Sequence, residues 1–375
     1  MMGNSSLWDG YQWDTSVWDK LKTFGKPIAL YGMGLGAEKI LQAFERYGIQ
    51  PSAVFASDGF VRGHSFHGFP VLNYEALCEK FSDCVVVISF ASQRPEVLEQ
   101  MKRVSERFET VAPDVPVAGN LLFTPALLES RRPEWEAAYS LLADEWSRFV
   151  FREVLQFKLT GRIEHLFRCA APRRDIWELF PLSKGEFFVD MGAYTGDTIR
   201  EFLGQTGNRC RKILALEPDS RSFRKLSLYA QSLREGYGLD IRCENIGAWN
   251  RREQLMFQRQ AGRNSALSQF AAPGLEHRKV KEIPVEMDSL DHLLETESLS
   301  PTLLKLDVEG AEEAALQGCR ETILRCRPKM MVSGYHRSDD LFRLPLYLHS
   351  LNPDYRFYLR HHPYVPAWET NFYVV

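Results

Sequence analysis

The chain of 375 residues is too long for one ordinary core and points to two domains. With 25% charged residues, 45% apolar residues and a net charge of −3, it reads as a globular protein without bulk electrostatic attraction for nucleic acid or an anionic membrane. Its longest apolar runs, such as Cys84-Val85-Val86-Val87-Ile88, have strand length and fall far short of the ~20 residues a membrane span needs.

The N-terminus lacks a basic region followed by an apolar one, so no secretory signal is expected. Seven cysteines are scattered without a C-x-x-C pair, which fits reduced thiols rather than a disulfide frame or a zinc site, and a cytoplasmic address follows. Residues 1–24 carry Trp8-Asp9, Trp13-Asp14 and Trp18-Asp19 at a period of five. Five residues rotate a helix about 140° past one turn, so the tryptophans cannot share one helical stripe. A packing arm is the expectation, with an aromatic sugar- or base-binding role as the alternative.

From 25 to 120 the pattern becomes strand, glycine turn, helix. Pro27 to Tyr31 is a strand, Gly32-Met33-Gly34-Leu35-Gly36-Ala37 a turn, and Glu38 to Tyr47 a helix. Ala53-Val54-Phe55 ends a second strand near Asp58; a helix from Tyr74 to Phe81 precedes a third strand, Cys84 to Phe90. This is a small Rossmann-like unit. Gly32, Gly34 and Gly36 with Asp58 could bind a nicotinamide dinucleotide or a nucleotide-sugar, which would make the chain an oxidoreductase, or the unit could be ligand-free scaffolding.

Residues 121–183 are rich in Arg, Glu, Trp and Phe at helical spacing, punctuated by Pro125, Pro133, Pro172 and Pro181, and read as a helical connector. A second strand–helix alternation fills 184–375 and predicts a doubly wound, mostly parallel sheet. Phe187 to Asp190 is a buried strand running into Gly192 and Gly196, and Thr198 to Leu203 can begin a helix. The next strand, Lys212 to Leu216, ends in Glu217-Pro218-Asp219, where a carboxylate can accept both hydroxyls of a ribose. Asp240 to Cys243 delivers Glu244-Asn245, whose amide could meet an adenine edge. Thr302 to Leu306 delivers Asp307-Val308-Glu309-Gly310, and Lys329 to Val332 delivers His336. Ligands of open α/β sheets bind at the carboxyl ends of strands, and here Asp190, Glu217, Asn245, Asp307 and His336 all stand at such ends.

The run from Phe188 to Thr198 with Leu304-Lys305-Leu306-Asp307-Val308-Glu309-Gly310-Ala311-Glu312 resembles the FkbM-type methyltransferase family. Tyr335-His336, Leu344-Pro345-Leu346-Tyr347, Leu359-Arg360-His361-His362 and Glu369-Thr370-Asn371-Phe372-Tyr373 resemble its closing segments. The resemblance covers about 185–375. It implies a class I methyltransferase fold with a C-terminal antiparallel strand, S-adenosylmethionine as cofactor, and methylation of a hydroxyl on a sugar, glycan precursor or similar small molecule. It also implies cofactor contacts at Asp190, Gly192, Ala193, Gly196, Asp197, Thr198, Glu217, Asn245 and Asp307, with Asp307 and Glu309 beside the transferred methyl.

Methyl transfer to an unactivated hydroxyl benefits from a base within hydrogen-bond reach, and His336, Asp307, Glu309 and His361 are the candidates, His336 first. Asp307, Glu309 and a histidine could instead hold a divalent metal that orients a diol; spacing alone assigns no metal ligands. His361 and His362 are adjacent, so on a strand they face opposite ways and at most one serves the site. Arg360 could hold an acidic substrate group or pair with a carboxylate, and Ala261 to Ala266 could be a lid or an ordinary loop. The remaining alternative is a non-catalytic binding module on a methyltransferase scaffold. No nucleic-acid or membrane partner is expected, and a homo-oligomer is compatible with the sequence.

Overall fold

The computed structural model describes residues 6–61, 63, 65–259, 266–267 and 281–375. Its first sheet is six-stranded, in the order β3-β4-β2-β1-β5-β6. The strands are β1 (Ile28–Tyr31), β2 (Ala53–Phe55), β3 (Ser65–Phe66), β4 (Phe69–Leu72), β5 (Val85–Ile88) and β6 (Glu109–Val111). All pairings are parallel except β3 with β4. Every residue of β1, β2 and β5 is buried, which explains why these strands read as continuous apolar runs rather than alternating ones. The glycine turn leads into the helix Leu35–Tyr47 as expected. The hairpin β3–β4 and the strand β6 are additions to the sequence reading.

The N-terminal arm is a clasp. Trp18 is fully buried in the helix Val17–Thr23, stacked on Tyr47 at 5.7 Å and edge-on to Phe44 at 6.5 Å. Ser16 and Asp19 close a capping box at the start of that helix. Trp8 and Trp13 meet edge to face at 5.4 Å and lie against the connector, where Trp8 Nε1 donates to Glu136 and the Arg132 guanidinium covers the Trp8 ring. These rings are occupied by packing, not turned toward a ligand.

The connector comprises the helices Pro125–Ser130, Arg132–Ser140, Glu145–Thr160 and Glu164–Cys169. The helix Glu145–Thr160 is the most enclosed. Its Lys158 forms a buried ion pair with Asp114 at 2.9 Å, and its other side packs on the second sheet.

The second sheet contains β7 (Phe187–Met191), β8 (Lys212–Leu216) and β9 (Ile241–Glu244); after an insertion it continues with β14 (Leu303–Leu306), β15 (Lys329–Ser333), β16 (Phe357–His361) and β17 (Thr370–Val374). The insertion is a small four-stranded sheet of β10 (Gly247–Ala248), β11 (Glu253–Arg259), β12 (Ala266–Leu267) and β13 (Lys281–Asp288). The seven main strands run in the order β16-β17-β15-β14-β7-β8-β9, with β17 antiparallel to both neighbours. This is the class I methyltransferase arrangement, a doubly wound α/β sheet with a C-terminal antiparallel strand. The insertion sheet is an addition to the sequence reading, which placed in this stretch only a lid or an ordinary loop at Ala261 to Ala266. Of that stretch, residues 261–265 lie outside the described residues.

The carboxyl ends of the two sheets face each other. The segment after β5 pairs with the loop before β17 through Ser92 N to Val365 O at 2.8 Å. The segment after β6 meets the loop after β15 through Ala118 N to His336 O at 2.9 Å. Among the described residues no helix is long and apolar enough to cross a membrane.

Candidate active site

A cavity opens where β7, β8 and β14 end, at the point where the strand order reverses. Three turns build it. The first leaves β7 through Gly192, whose φ of +89° is open to glycine. A Cβ there would stand 1.9 Å from the Asp307 carbonyl oxygen, so the first turn and the turn after β14 touch backbone to backbone. Gly192, Tyr194, Asp197 and Thr198 line the cavity, and Gly196 caps the helix Asp197–Thr206.

The second turn, after β8, places Glu217 on the wall with its side chain almost buried. Its Oε2 accepts from Tyr194 N and its Oε1 from Asp219 N, both at 2.8 Å. Burial pushes its pKa up to about 7, against the pull of those two donors. The carboxylate is thus locked in one orientation, with lone pairs left for a diol. Asn245 is a correction: it is exposed and off the wall, with Nδ2 donating to the Glu217 and Pro218 carbonyls at 2.8 and 3.1 Å. It braces the acidic turn, and Gly247 and Ala248 form the wall there instead.

Asp190 and Ala193 also differ from expectation. Both are 0% exposed and lie behind the first turn, off the cavity wall. Asp190 faces Lys305 of β14, whose Nζ lies 3.1 Å from its Oδ1 and donates to Gly192 O at 2.6 Å. Burial pushes the Asp190 pKa up to about 6 despite that lysine. For Lys305, burial opposes the charge, but Asp190 and Asp307 outweigh it and raise its pKa. The pair holds the turn from beneath. Lys305 itself reaches the cavity and was missed as a site residue; a lone charge inside the apolar run Leu303-Leu304-Lys305-Leu306 is the signal that marks it.

The third turn carries Asp307 and Glu309 to the wall. Asp307 Oδ1 accepts from the Tyr335 hydroxyl at 3.1 Å, and its Oδ2 lies 3.9 Å from Lys305 Nζ. Burial opposes its charge, but Lys305 and His336 outweigh burial and hold its carboxyl below the usual range. Glu309 adopts a left-handed φ of +55°, and burial pushes its pKa up to about 8 against the attraction of His336.

His336 does sit beside this turn, but not as a free base. Its Nδ1 is 2.9 Å from Glu312 Oε1, and its Nε2 is 3.5 Å from Asp307 Oδ1 and 3.7 Å from Glu309 Oε2. Burial alone would discharge the ring, yet Glu312, Glu309 and Asp307 carry its pKa up to about 10. An imidazolium has no lone pair with which to take a proton. His361 also departs from expectation. It is buried between the outer strands and the connector, off the cavity wall, with Nδ1 3.0 Å from Thr370 Oγ1, and burial depresses its pKa to about 3. His362 is likewise tied to Ala171 O and the Tyr373 hydroxyl, and Arg360 is paired with Asp144 at 2.7 Å.

Other wall residues were not singled out by the sequence. Phe257 and Met287 belong to the insertion sheet and Gln93 to the segment after β5. Arg173 comes from the connector, where it holds Glu201 at 2.7 Å and Glu369 at 2.6 Å. In the first sheet, a Cβ on Gly36 would stand 2.3 Å from Ser89 O, and one on Gly32 would stand 2.8 Å from both Ser89 Oγ and Phe90 Cδ1. Two of the three glycines in that turn are therefore required by packing against β5 and its end. The Asp58 side chain lies outside the described residues.

Residues 190–366 match the Methyltransferase FkbM domain family. In fold, the chain resembles the crystal structure of methyltransferase FkbM from Methylobacillus flagellatus KT, with a TM-score of 0.69 and 21% identity over 93% of this chain and 90% of that one. That likeness extends across both sheets. More remotely, Aeropyrum pernix fibrillarin in complex with S-adenosyl-L-methionine aligns with a TM-score of 0.33 and 14% identity over 52% of this chain and 68% of that one. No curated protein matches the chain. The three turns at the carboxyl edge of the second sheet all lie within this Methyltransferase FkbM domain, residues 190–366, which implies S-adenosylmethionine as the cofactor.

Proposed function

We propose that the protein transfers the methyl group of S-adenosylmethionine to a hydroxyl oxygen of a sugar or glycan precursor. The observation that carries this reading is the charge of the cavity. Seven carboxylates line it against Arg173 and Lys305. Such a wall attracts the cationic sulfonium and repels polyphosphate acceptors, and its many acceptor oxygens suit a neutral polyol. Glu217 takes the ribose hydroxyls, the turn from Gly192 to Thr198 takes the methionine portion, and Asp307 and Glu309 face the acceptor.

In the reaction the acceptor oxygen bonds to the methyl carbon as the carbon–sulfur bond breaks. The bonding pair returns to sulfur, which becomes a neutral thioether, and the hydroxyl proton passes to the Glu309 carboxylate. Glu309 replaces His336 in this role because its pKa lies near neutrality, where a general base works best. The protein acts on small molecules in the cytoplasm, where its cysteines stay reduced.

Calorimetry with S-adenosylhomocysteine tests the cofactor half: one saturable site per chain is expected, and no heat from folded protein would overturn it. Transfer of labelled methyl to a panel of mono- and oligosaccharides tests the acceptor half. Glu309→Gln should retain cofactor affinity and lose at least ten-fold in kcat.

A further inference from the structure

The acceptor end of the cavity holds a cluster that methyl transfer by itself does not require. His336 and Glu312 are each 1% exposed, and one donor atom from each of Asp307, Glu312 and His336 lies within 4.8 Å of the others. Glu309 flanks them, and Asp340 is buried beside Glu312. One imidazole thus faces several carboxylates, and negative charge is left over in a low-dielectric pocket.

Two further observations give the cluster its meaning. The separations between the three groups are 3.5 Å from His336 Nε2 to Asp307 Oδ1, too long for a good hydrogen bond, and 2.9 Å from His336 Nδ1 to Glu312 Oε1. They are close to the edge of a coordination polyhedron, where metal bonds of about 2.1 Å put neighbouring ligand atoms roughly 3–3.5 Å apart. Independently, Glu312 Oε2 is buried without a hydrogen-bond partner among the described residues. A carboxylate oxygen left in that state is costly unless a cation meets it.

We propose that Asp307, Glu312 and His336 bind one divalent cation at the acceptor end of the cavity, the ion displacing the imidazolium proton so that the neutral ring ligates. A set of two carboxylates and one imidazole favours Mn²⁺ or Zn²⁺ over the purely oxygen-seeking Mg²⁺ and Ca²⁺. Asp307 faces the cavity, so the ion meets it too. Resting on the methyltransferase reading, the inference narrows the acceptor to molecules that offer two neighbouring oxygens, such as a vicinal diol or a hydroxy-carbonyl group. The cation would chelate that pair, fix its direction toward the sulfonium and lower the pKa of the bound hydroxyl.

The test uses full-length protein treated with a chelator and titrated with Mn²⁺, followed by the paramagnetic resonance of the free ion, with Zn²⁺ as competitor. One saturable site per chain is expected, weakened at least ten-fold in Asp307→Asn and in Glu312→Gln, each verified as folded by its melting curve. Asp307 is partly exposed to the cavity, so its isosteric variant remains informative if the buried Glu312→Gln fails to fold. Absence of saturable Mn²⁺ and Zn²⁺ binding, or undiminished binding in Asp307→Asn, overturns the proposal. Titrating S-adenosylhomocysteine into the same samples separates the two readings. Cofactor binding without cation binding removes only the cation site, whereas cation binding without cofactor binding removes the methyltransferase reading and leaves the site standing.

Discussion

Lys305 shows how much a single buried charge organises this site. Its ammonium joins Asp190, the Gly192 carbonyl and, at longer range, Asp307, so it ties two of the three turns together. Lys305→Met should leave Asp190 buried without its cation and cost about 3–5 kcal/mol in denaturant unfolding. Glu217 carries a pH signature. Burial raises its pKa in the folded chain to about 7, above the ordinary carboxylate value near ~4.3, so between these values the folded state binds a proton that the unfolded state releases. The contribution of this group to stability is therefore largest in acid and is lost as pH rises through that window. With Glu217 in its proposed role, cofactor binding runs the opposite way, since only the ionised form can accept hydrogen bonds from both ribose hydroxyls. Affinity for S-adenosylhomocysteine should rise between about pH 5.5 and about pH 8, and calorimetry on Glu217→Gln should show weaker binding without that slope.

The elements meet at closer range than strand and helix patterns reveal. At Gly192 two turns from neighbouring strands touch backbone to backbone. Gly192→Ala would set a Cβ against the Asp307 carbonyl and place a side chain at positive φ. The backbone strain alone is on the order of 1–3 kcal/mol. A lower melting temperature together with loss of S-adenosylhomocysteine binding is the expected result. The arm helix depends on Trp18, packed between Phe44 and Tyr47. Trp18→Ala should cost about 3–5 kcal/mol by chemical denaturation, whereas the half-exposed Trp13 should cost less when truncated.

At the scale of the whole molecule, the two sheets point their carboxyl ends at one another, and the first sheet contributes Gln93 to the cavity wall. The proposed cofactor contacts nevertheless all come from turns of the second sheet. Ala118 lies at the junction, buried against Gly310, with its amide bonded to His336 O. Ala118→Phe should overpack this junction at a cost of about 1–3 kcal/mol and push the first sheet away from the acceptor end. Turnover should fall while S-adenosylhomocysteine affinity stays within a few-fold, measured side by side on the same preparation.

The methyltransferase sheet was legible because its signals are local. Buried parallel strands are continuous apolar runs, and their carboxyl ends announce themselves as Asp190, Glu217 and Asp307 next to glycine turns. The family followed from those runs in combination. Which of these residues faces a ligand depends on which way a turn closes, and that is a tertiary matter. Asp190 and Asn245 stand at strand ends as read, yet one holds a lysine and the other a backbone loop. His336 has the residue type of a base, but three carboxylates brought in by the β14 turn and the helix after it make it a cation. His361 is buried on β16 beside Thr370, off the cavity wall. The insertion sheet and the facing of the two units depend on contacts between distant segments, for which no periodicity in the sequence provides a signal. Local hydrophobic pattern and turn chemistry thus determined the fold and which strand ends carry polar groups, while the protonation and direction of each polar group were decided by neighbours far away in the chain.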